Sequence, residues 1–472
     1  MLSLRRVTLA GSVVGAVLVA LDGTVLTVAR PALQHDLGAS LTEAQWTSTA
    51  YLIAVASLLV FAGRLGDRYG HRRLFALGML GFAAASAGIG WAPGIGWVIA
   101  LRVVQGGCGA LLQPATLGML RAAYPPERLG MPIALRTSAI GVAAAAGPLV
   151  GGVLTDRFGW RSVFFLGVVP AVVIALLVLR VKEPEPSAAP GAAPGLDPGG
   201  VVLLGAALAC LVTALVTLSD RGGSAYTVLA AAAGGVAATA LVRHERRTPS
   251  PLLPLSVVAS PVVVAALCTL LTASAALFGT LFVASYFLQD VLGLDALGTA
   301  LYLLPAALCM VLAAPLGAVL LRRHGARVTT GAGMVLLALG VFAFGRLDGT
   351  ATAPAVGACA VAVGAGFGAV MVSATEALVR RAAVADAGVA GGLQQTAMNV
   401  GPTLGVALST TLLAAGHGLP RALGPTLTVL ALVTCVGAVA ARGLPSRTRD
   451  TARSPAQEQA RPPGGPVART DR

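Results

Sequence analysis

Charge-free stretches about as long as a bilayer is thick recur along the whole chain, and no other feature constrains the fold as tightly. "WTSTAYLIAVASLLVFA" (46–62) and "LFALGMLGFAAASAGIGW" (74–91) are two of them. A hydrocarbon core of roughly 30 Å is crossed by about 20 residues rising about 1.5 Å each as helix. The runs are continuous rather than alternating, which selects helices over a closed β-barrel. Only 11% of the 472 residues are charged, too few to clothe a water-facing surface. An all-α integral membrane protein is the expected fold class.

Fourteen runs are read as spans, at about 7–28, 45–63, 74–92, 96–120, 137–155, 162–179, 200–218, 225–242, 261–288, 299–321, 328–345, 354–378, 388–414 and 422–441. They divide the chain into a six-helix bundle over 1–181, a Pro/Gly/Ala-rich linker over 182–199, two extra helices and a loop over 200–260, and a second six-helix bundle over 261–442. The tail, 443–472, is polar and Pro-rich and is expected to be disordered in the cytoplasm.

The chain carries a formal net charge of +14. Most of its Lys and Arg fall in the N-terminal tail, the even-numbered loops and the C-terminal tail. That bias marks the cytoplasmic side, so both termini are expected inside, in a multi-pass protein of the cell membrane. It accounts for the charge without a nucleic-acid partner. The six cysteines (108, 210, 268, 309, 359, 435) all fall inside predicted spans, at no metal-ligand spacing, and no metal site is expected. The opening run continues past Asp22 without a small-residue cleavage site, so it is taken as a retained first helix rather than a signal peptide.

The sequence also repeats. "GRLGDRYGHRRLFALGM" (63–79) aligns with "AVLLRRHGARVTTGAGM" (318–334), and "GPLVG" (147–151) with "GPTLG" (401–405), at nearly the same offset. Two related bundles with a site between them at mid-membrane are a transporter design.

The densest charge in the first bundle is the loop "GRLGDRYGHRR", Gly63 to Arg73. A plain loop needs a turn and positive charge, which Gly66, Gly70 and the arginines supply. Asp67 is surplus to that. An acid at a membrane boundary can accept charge-assisted hydrogen bonds from Arg, or cap a neighbouring helix N-terminus. Such a contact can hold two bundles together on one face and release them when they rock.

This loop resembles the signature of the major facilitator superfamily, Gly-x-Leu-(small)-Asp-Arg-x-Gly-Arg-(Arg/Lys). Gly63, Leu65, Gly66, Asp67, Arg68, Gly70 and Arg72 match, Arg73 adds charge just beyond, and His71 stands where the family often has Arg. The resemblance implies a cytoplasmic gate latch. The second copy has Arg322 in place of the acid and is not expected to latch. "LDGTVLTVARPAL" (21–33) resembles the first-helix motif of the 14-spanner drug:proton antiporters of the EmrB/QacA type, with Thr27 and Arg30 as departures. "LRVVQGGCGALLQPA" (101–115) resembles the fourth-helix motif Arg-x-x-Gln-Gly-x-Gly through Arg102, Gln105 and Gly106, with Cys108 for the last Gly. "GVAAAAGPLVGGVLTDRFGWRSVFF" (141–165) resembles the fifth-helix antiporter motif through Gly147, Pro148, Gly151 and Gly152. Small residues also allow close helix packing in lipid, and Pro148 removes a backbone hydrogen bond and bends the helix.

Buried polar residues narrow the site. Asp22 is the acid placed deep within a span. Counting helical rise from the predicted span ends puts Asp22 and Arg102 at about the same depth, roughly 21 to 22 Å above the cytoplasmic edge. An acid there is costly unless paired or functional. Burial disfavours a carboxylate and a neighbouring Arg favours it, so a contact made in one bundle arrangement and broken in another would change proton affinity. Asp22 is therefore expected to carry the exchanged proton, with Arg102 modulating it and Gln105 as polar support. Gln113, Gln394, Gln395 and Asn399 line a substrate cavity or bond helices together. Glu376, four residues before Arg380, is expected to form an interfacial pair with it.

The resemblance implies the major facilitator fold, two six-helix halves plus two extra helices. It implies a proton-coupled exporter of small amphiphilic molecules, working as a monomer by alternating access. Its energy source is the proton gradient, with no cofactor. An uptake symporter is the alternative, against which the fifth-helix motif weighs. The chain's one Lys, Lys182, precedes Glu183, so a phosphate-binding Gly-Lys-Ser/Thr loop is absent and an ATP-driven pump is excluded for this chain alone. All five His lie in predicted loops, and no catalytic cluster recurs within the spans, so no enzyme is expected.

Overall fold

The computed structural model describes residues 4–125, 128–180, 197–221, 224–248, 260–294, 296–381, 387–415 and 419–446. Most of the predicted linker (182–196) and tail (447–472) lie outside the described residues. The described segments are helical: α1 (Leu4–Asp36), α2 (Leu41–Tyr69), α3 (His71–Gly90), α4 (Ile95–Ala123), α5 (Gly130–Phe158), α6 (Arg161–Phe165), α7 (Val168–Arg180), α8 (Pro198–Arg221), α9 (Ala225–Glu245), α10 (Pro261–Tyr286), α11 (Ala296–His324), α12 (Ala326–Phe344), α13 (Ala353–Arg381), α14 (Ala387–Ala415) and α15 (Leu419–Ala440).

Local chemistry sets several of the ends. Ser40 and Glu43 form a reciprocal capping box at the start of α2. Gly70, at φ +93°, makes the sharp turn from α2 into α3, and Gly325, at φ +83°, makes the matching turn from α11 into α12. Left-handed backbone favours glycine, so both copies of the repeated loop keep one there. α5 bends by 45° between Gly130–Ala144 and Leu149–Phe158, across the Gly147-Pro148 step.

The packing pattern occurs twice. In the first bundle α1 packs on α5, α2 on α4, and α3 on both α4 and α7. In the second, α10 packs on α14, α11 on α13, and α12 on both α13 and α15. The bundles meet where α2 and α4 touch α14 and where α5 touches α11 and α13. The extra helices α8 and α9 form a hairpin, and α8 lies against both α2 and α14. Aliphatic side chains such as Leu77, Leu149, Leu312 and Val436 are exposed on the outside, the surface a bilayer would cover.

The expectation of fourteen spans is not carried this far. Among the described residues, twelve helices are long and apolar enough to cross a membrane by themselves, and the bent α5 makes a thirteenth. α14 is not among them.

Candidate functional site

Four helices of the first bundle converge on one buried polar network. Arg102 of α4 donates from Nη1 to Asp22 Oδ2 of α1 at 2.6 Å and to Gln105 Oε1 at 2.7 Å. Its Nε donates to the Thr47 carbonyl of α2 at 3.0 Å, and its guanidinium lies 4.3 Å from the Tyr51 ring centre. Gln105 Nε2 donates to Asp22 Oδ1 at 3.0 Å and to Ser86 Oγ of α3 at 2.7 Å. The Ser86 hydroxyl in turn donates a hydrogen bond to the Phe82 carbonyl. The side chains of Arg102 and Asp22 are 1% and 10% exposed.

This closeness depends on small residues. A methyl added at Gly106 would lie 2.6 Å from the Tyr51 carbonyl, so α4 can press against α2 at that level only without one. Both oxygens of Asp22 are occupied by donors from α4. The carboxylate thereby joins α1 to α4. Thr47, Tyr51 and Ser86 were not anticipated from sequence; Ser and Tyr in a membrane helix carry no signal of their own.

The second site lies at the end of the bundle that holds Gly63–Arg73. Asp67 Oδ1 accepts from the Gly388 amide at 2.7 Å, and Oδ2 from the Val389 amide at 3.2 Å. Asp67 thus caps the N-terminus of α14, a helix of the other bundle. His71 Nε2 lies 3.2 Å from the same carboxylate. Its ring is buried and stacked into space left by Gly66 and Gly118. Gly63 and Gly388 approach so closely that a methyl on either would overlap the other's carbonyl. Gly70 makes the turn. Arg68 lies over the Tyr69 ring, the half-buried Arg72 has Nε and Nη1 without a partner, and Arg73 is exposed. His71, Gly388 and Val389 are the members sequence reading did not place.

The glycines of the fifth-helix motif divide. A methyl on Gly147 would overlap Thr24 Oγ1, and one on Gly151 would lie 2.8 Å from Val25 Cγ1. Gly152 meets Val28 only at 3.9 Å, ordinary contact, so the tight face expected of all three glycines is made by Gly147 and Gly151. Pro148 lies in the helix between them.

Gln113 and Gln394 are buried on α4 and α14, which meet where Gly391 packs on Pro114. Gln394 Oε1 and Asn399 Nδ2 have no partner, and Gln395 is half-buried. No hydrogen bond joins these four to one another among the described residues. Glu376 is buried rather than interfacial, with Oε2 turned toward Gly130 of α5.

The sequence profile of the Major Facilitator Superfamily matches residues 13–406 and, in a second overlapping match, 306–469. The chain belongs to the major facilitator superfamily. Among relatives in the superfamily, the tetracenomycin C resistance and export protein of Streptomyces glaucescens is 37% identical over 415 residues, 87% of this chain and 76% of that one. The puromycin resistance protein of Streptomyces alboniger is 34% identical, covering 84% and 79%. The multidrug efflux pump LfrA of Mycolicibacterium smegmatis is 31% identical, covering 94% and 88%. The fold matches solved superfamily structures. The human organic anion transporter MFSD10 superposes with a TM-score of 0.68 at 13% identity, covering 93% of this chain and 99% of that one. The proton:xylose symporter XylE gives 0.64 at 14% identity, covering 92% and 94%. A transporter fold of this kind is not an enzyme.

Proposed function

We propose that this protein is a proton-driven exporter of small amphiphilic molecules, antibiotics and other drugs among them. The observation that carries the reading is the Asp22–Arg102–Gln105 network, a buried acid whose every oxygen is held by one neighbouring helix. A proton on that carboxylate would remove the charge that pairs with Arg102 and loosen α1 from α4, which is the link a coupled transporter needs. The names of the relatives, resistance and export proteins for tetracenomycin C, puromycin and multiple drugs, supply the direction and the substrate class.

The cycle we infer turns on the latch and the buried network. With the Asp67 latch closed, the cavity between the bundles opens away from the loop end. A proton binds Asp22, Arg102 is released, and the bundles rock. The latch end opens, the proton leaves toward the cytoplasm, and Arg102 recaptures the carboxylate. The bundles are residues 1–181 and 261–442, and the loop end faces the cytoplasm with both termini. The protein works as a monomer in the cell membrane, with the proton gradient as its energy source and no cofactor. Gln113, Gln394, Gln395 and Asn399 offer hydrogen bonds to substrate.

All fourteen long helices cross the membrane in this reading, as in the EmrB/QacA type. α14 has 29 residues and so measures about 43 Å at about 1.5 Å per residue, enough to span. The test is reconstitution in liposomes with an imposed pH gradient and a panel of aromatic antibiotics, puromycin included. Movement of at least one compound against its gradient, abolished by a protonophore, is expected. Equal movement with and without the gradient sinks the proposal.

A further inference from the structure

Glu376 lies five residues before the end of α13, yet only 6% of it is exposed. It shares a face of α13 with Val372 and Val379, four residues before it and three after. Those valines belong to an apolar cluster that crosses the seam, with Leu120 of α4, Ile133 of α5 and Ala318 of α11. Glu376 Oε2 has no hydrogen-bond partner. It points at the first residue of α5: a methyl on Gly130 would lie 2.6 Å from it. An acid of the second bundle thus faces the N-terminus of a helix of the first, as Asp67 of the first bundle caps α14 of the second. α5 and α14 hold matching places in the two packing patterns, so two acids face helix starts across the seam in a crossed arrangement. Asp67 holds amides with both oxygens, and Glu376 Oε2 holds none.

The charges around Glu376 are few. Arg380 on its own helix and Arg322 on α11 are the nearest cations, and both side chains are exposed. On the elements packed against α13, α11 also carries Arg323 and His324 at its exposed end, and α12 carries Arg327 at its start. α5 carries Arg136, Asp156 and Arg157, while α4 ends with Arg121. α14 has no ionisable side chain, and α10 has only Cys268 and Tyr286. Although it faces the start of α5, no donor among the described residues bonds Oε2, and the side chains around it are aliphatic, an environment that penalises an unpaired buried charge. That holds only while the seam is shut.

We propose that Glu376 is a second proton-carrying acid, which holds its proton while the latch end is closed and gives it to water when that end opens. The step exchanges only O–H bonds: the carboxylic acid becomes carboxylate and a water becomes hydronium. It rests on the alternating-access reading above and places a proton site at the inner end of the path. By linkage, acid closes the latch end and alkali opens it.

The test uses the full chain in lipid nanodiscs with its six cysteines replaced by alanine. Spin labels are attached at Ala122 and Arg381, exposed near the ends of α4 and α13. Asp22→Asn is present throughout, so that site biases the conformations equally at every pH and adds no pH dependence. Distances are measured at about pH 5 and about pH 9, either side of where a buried carboxyl titrates. The short-distance population is expected to dominate at acid pH and to be lost at alkaline pH. Adding Glu376→Gln, whose amide resembles the protonated acid, should leave it dominant at both. An undiminished pH shift in that variant overturns the proposal, and so does a variant open at both pH values.

A second measurement needs no substitution. A hydrophobic carbodiimide reacts with protonated carboxyls in apolar surroundings. It should modify Glu376 of the wild-type chain at acid pH and spare it at alkaline pH, and absence of modification at both overturns the proposal equally. Neither measurement involves a substrate. A Glu376-dependent shift in a protein that exports nothing would sink the exporter reading and leave this one standing.

Discussion

Asp67 reaches across the seam between the bundles and accepts hydrogen bonds from two amides at the start of α14, those of Gly388 and Val389, 321 and 322 residues along the chain. The first amides of a helix have no partner within it, and they sit at the positive end of its dipole. A carboxylate there is both cap and counter-charge, and the contact parts when the bundles part.

Asp67→Asn keeps the shape and one acceptor but loses the charge. A lost cap costs about 1 to 2 kcal/mol, and the loss should fall on the closed latch. Drug efflux from cells is expected to drop by about tenfold or more with membrane insertion unchanged. Arg322→Ala, at the matching loop, should change efflux far less. Wild-type efflux from the Asp67→Asn protein would reduce the loop to a topology signal.

Gly388→Ala tests the same closure by bulk instead of charge. The methyl overlaps the Gly63 carbonyl, and backbone on both sides cannot yield as a flexible side chain can. Cysteines placed on either side of the seam should cross-link several-fold more slowly than in the parent, as about 1 kcal/mol on the closed state implies. Unchanged cross-linking would mean that the bundles close without this approach.

In the buried network the losses should be graded. Asp22→Asn is expected to reduce pH-gradient-driven transport to the level of empty liposomes, and Arg102→Ala to do nearly the same. Ser86→Ala removes one acceptor from Gln105 and should cost only about 1 kcal/mol, or a few-fold in rate. Equal, complete loss in Asp22→Asn and Ser86→Ala would show a structural cluster rather than a proton site.

At the opposite end of α1, Asp36 accepts from Trp160 Nε1 at 2.9 Å and from Arg161 Nη1 at 2.5 Å. The Trp160 and Arg161 hydrogen bonds hold its carboxyl below the ordinary 3.8. A depressed folded value stabilises above the unfolded value and is lost as pH falls through the folded one. The melting-temperature gap between wild type and Asp36→Asn should therefore stay constant from neutral pH to about pH 4 and close only below it. A gap that closes by about pH 6 would point to a histidine instead.

The Asp22–Arg102 meeting was legible because depth in a membrane is arithmetic on helical rise, and the motif residues carried the rest. The latch was half legible. Asp67 was conspicuous as an acid that a plain loop does not need, but its partners are backbone amides, and an amide leaves no mark on a sequence. Tyr51 and Ser86 were silent for a related reason, since either fits a membrane helix without a role. Glu376 reads as interfacial from its place near the end of a span, and the packing of α13 against the other bundle buries it instead.

The hairpin helix α8 touches α2 and α14 at once, with Val201 and Leu204 against Val60 and Val389. It therefore lies astride the one joint that has to move. In water, prising such a helix off either neighbour would expose apolar surface at a high cost. In a bilayer the gap fills with acyl chains as apolar as the valines they replace, so only tightness of fit is forfeited. The hairpin can thus sit on the joint like a seal on a hinge, keeping lipid out of the closed seam and adding little resistance to its opening. How fast the joint turns would then depend on the fluidity of the surrounding membrane as well as on the residues inside.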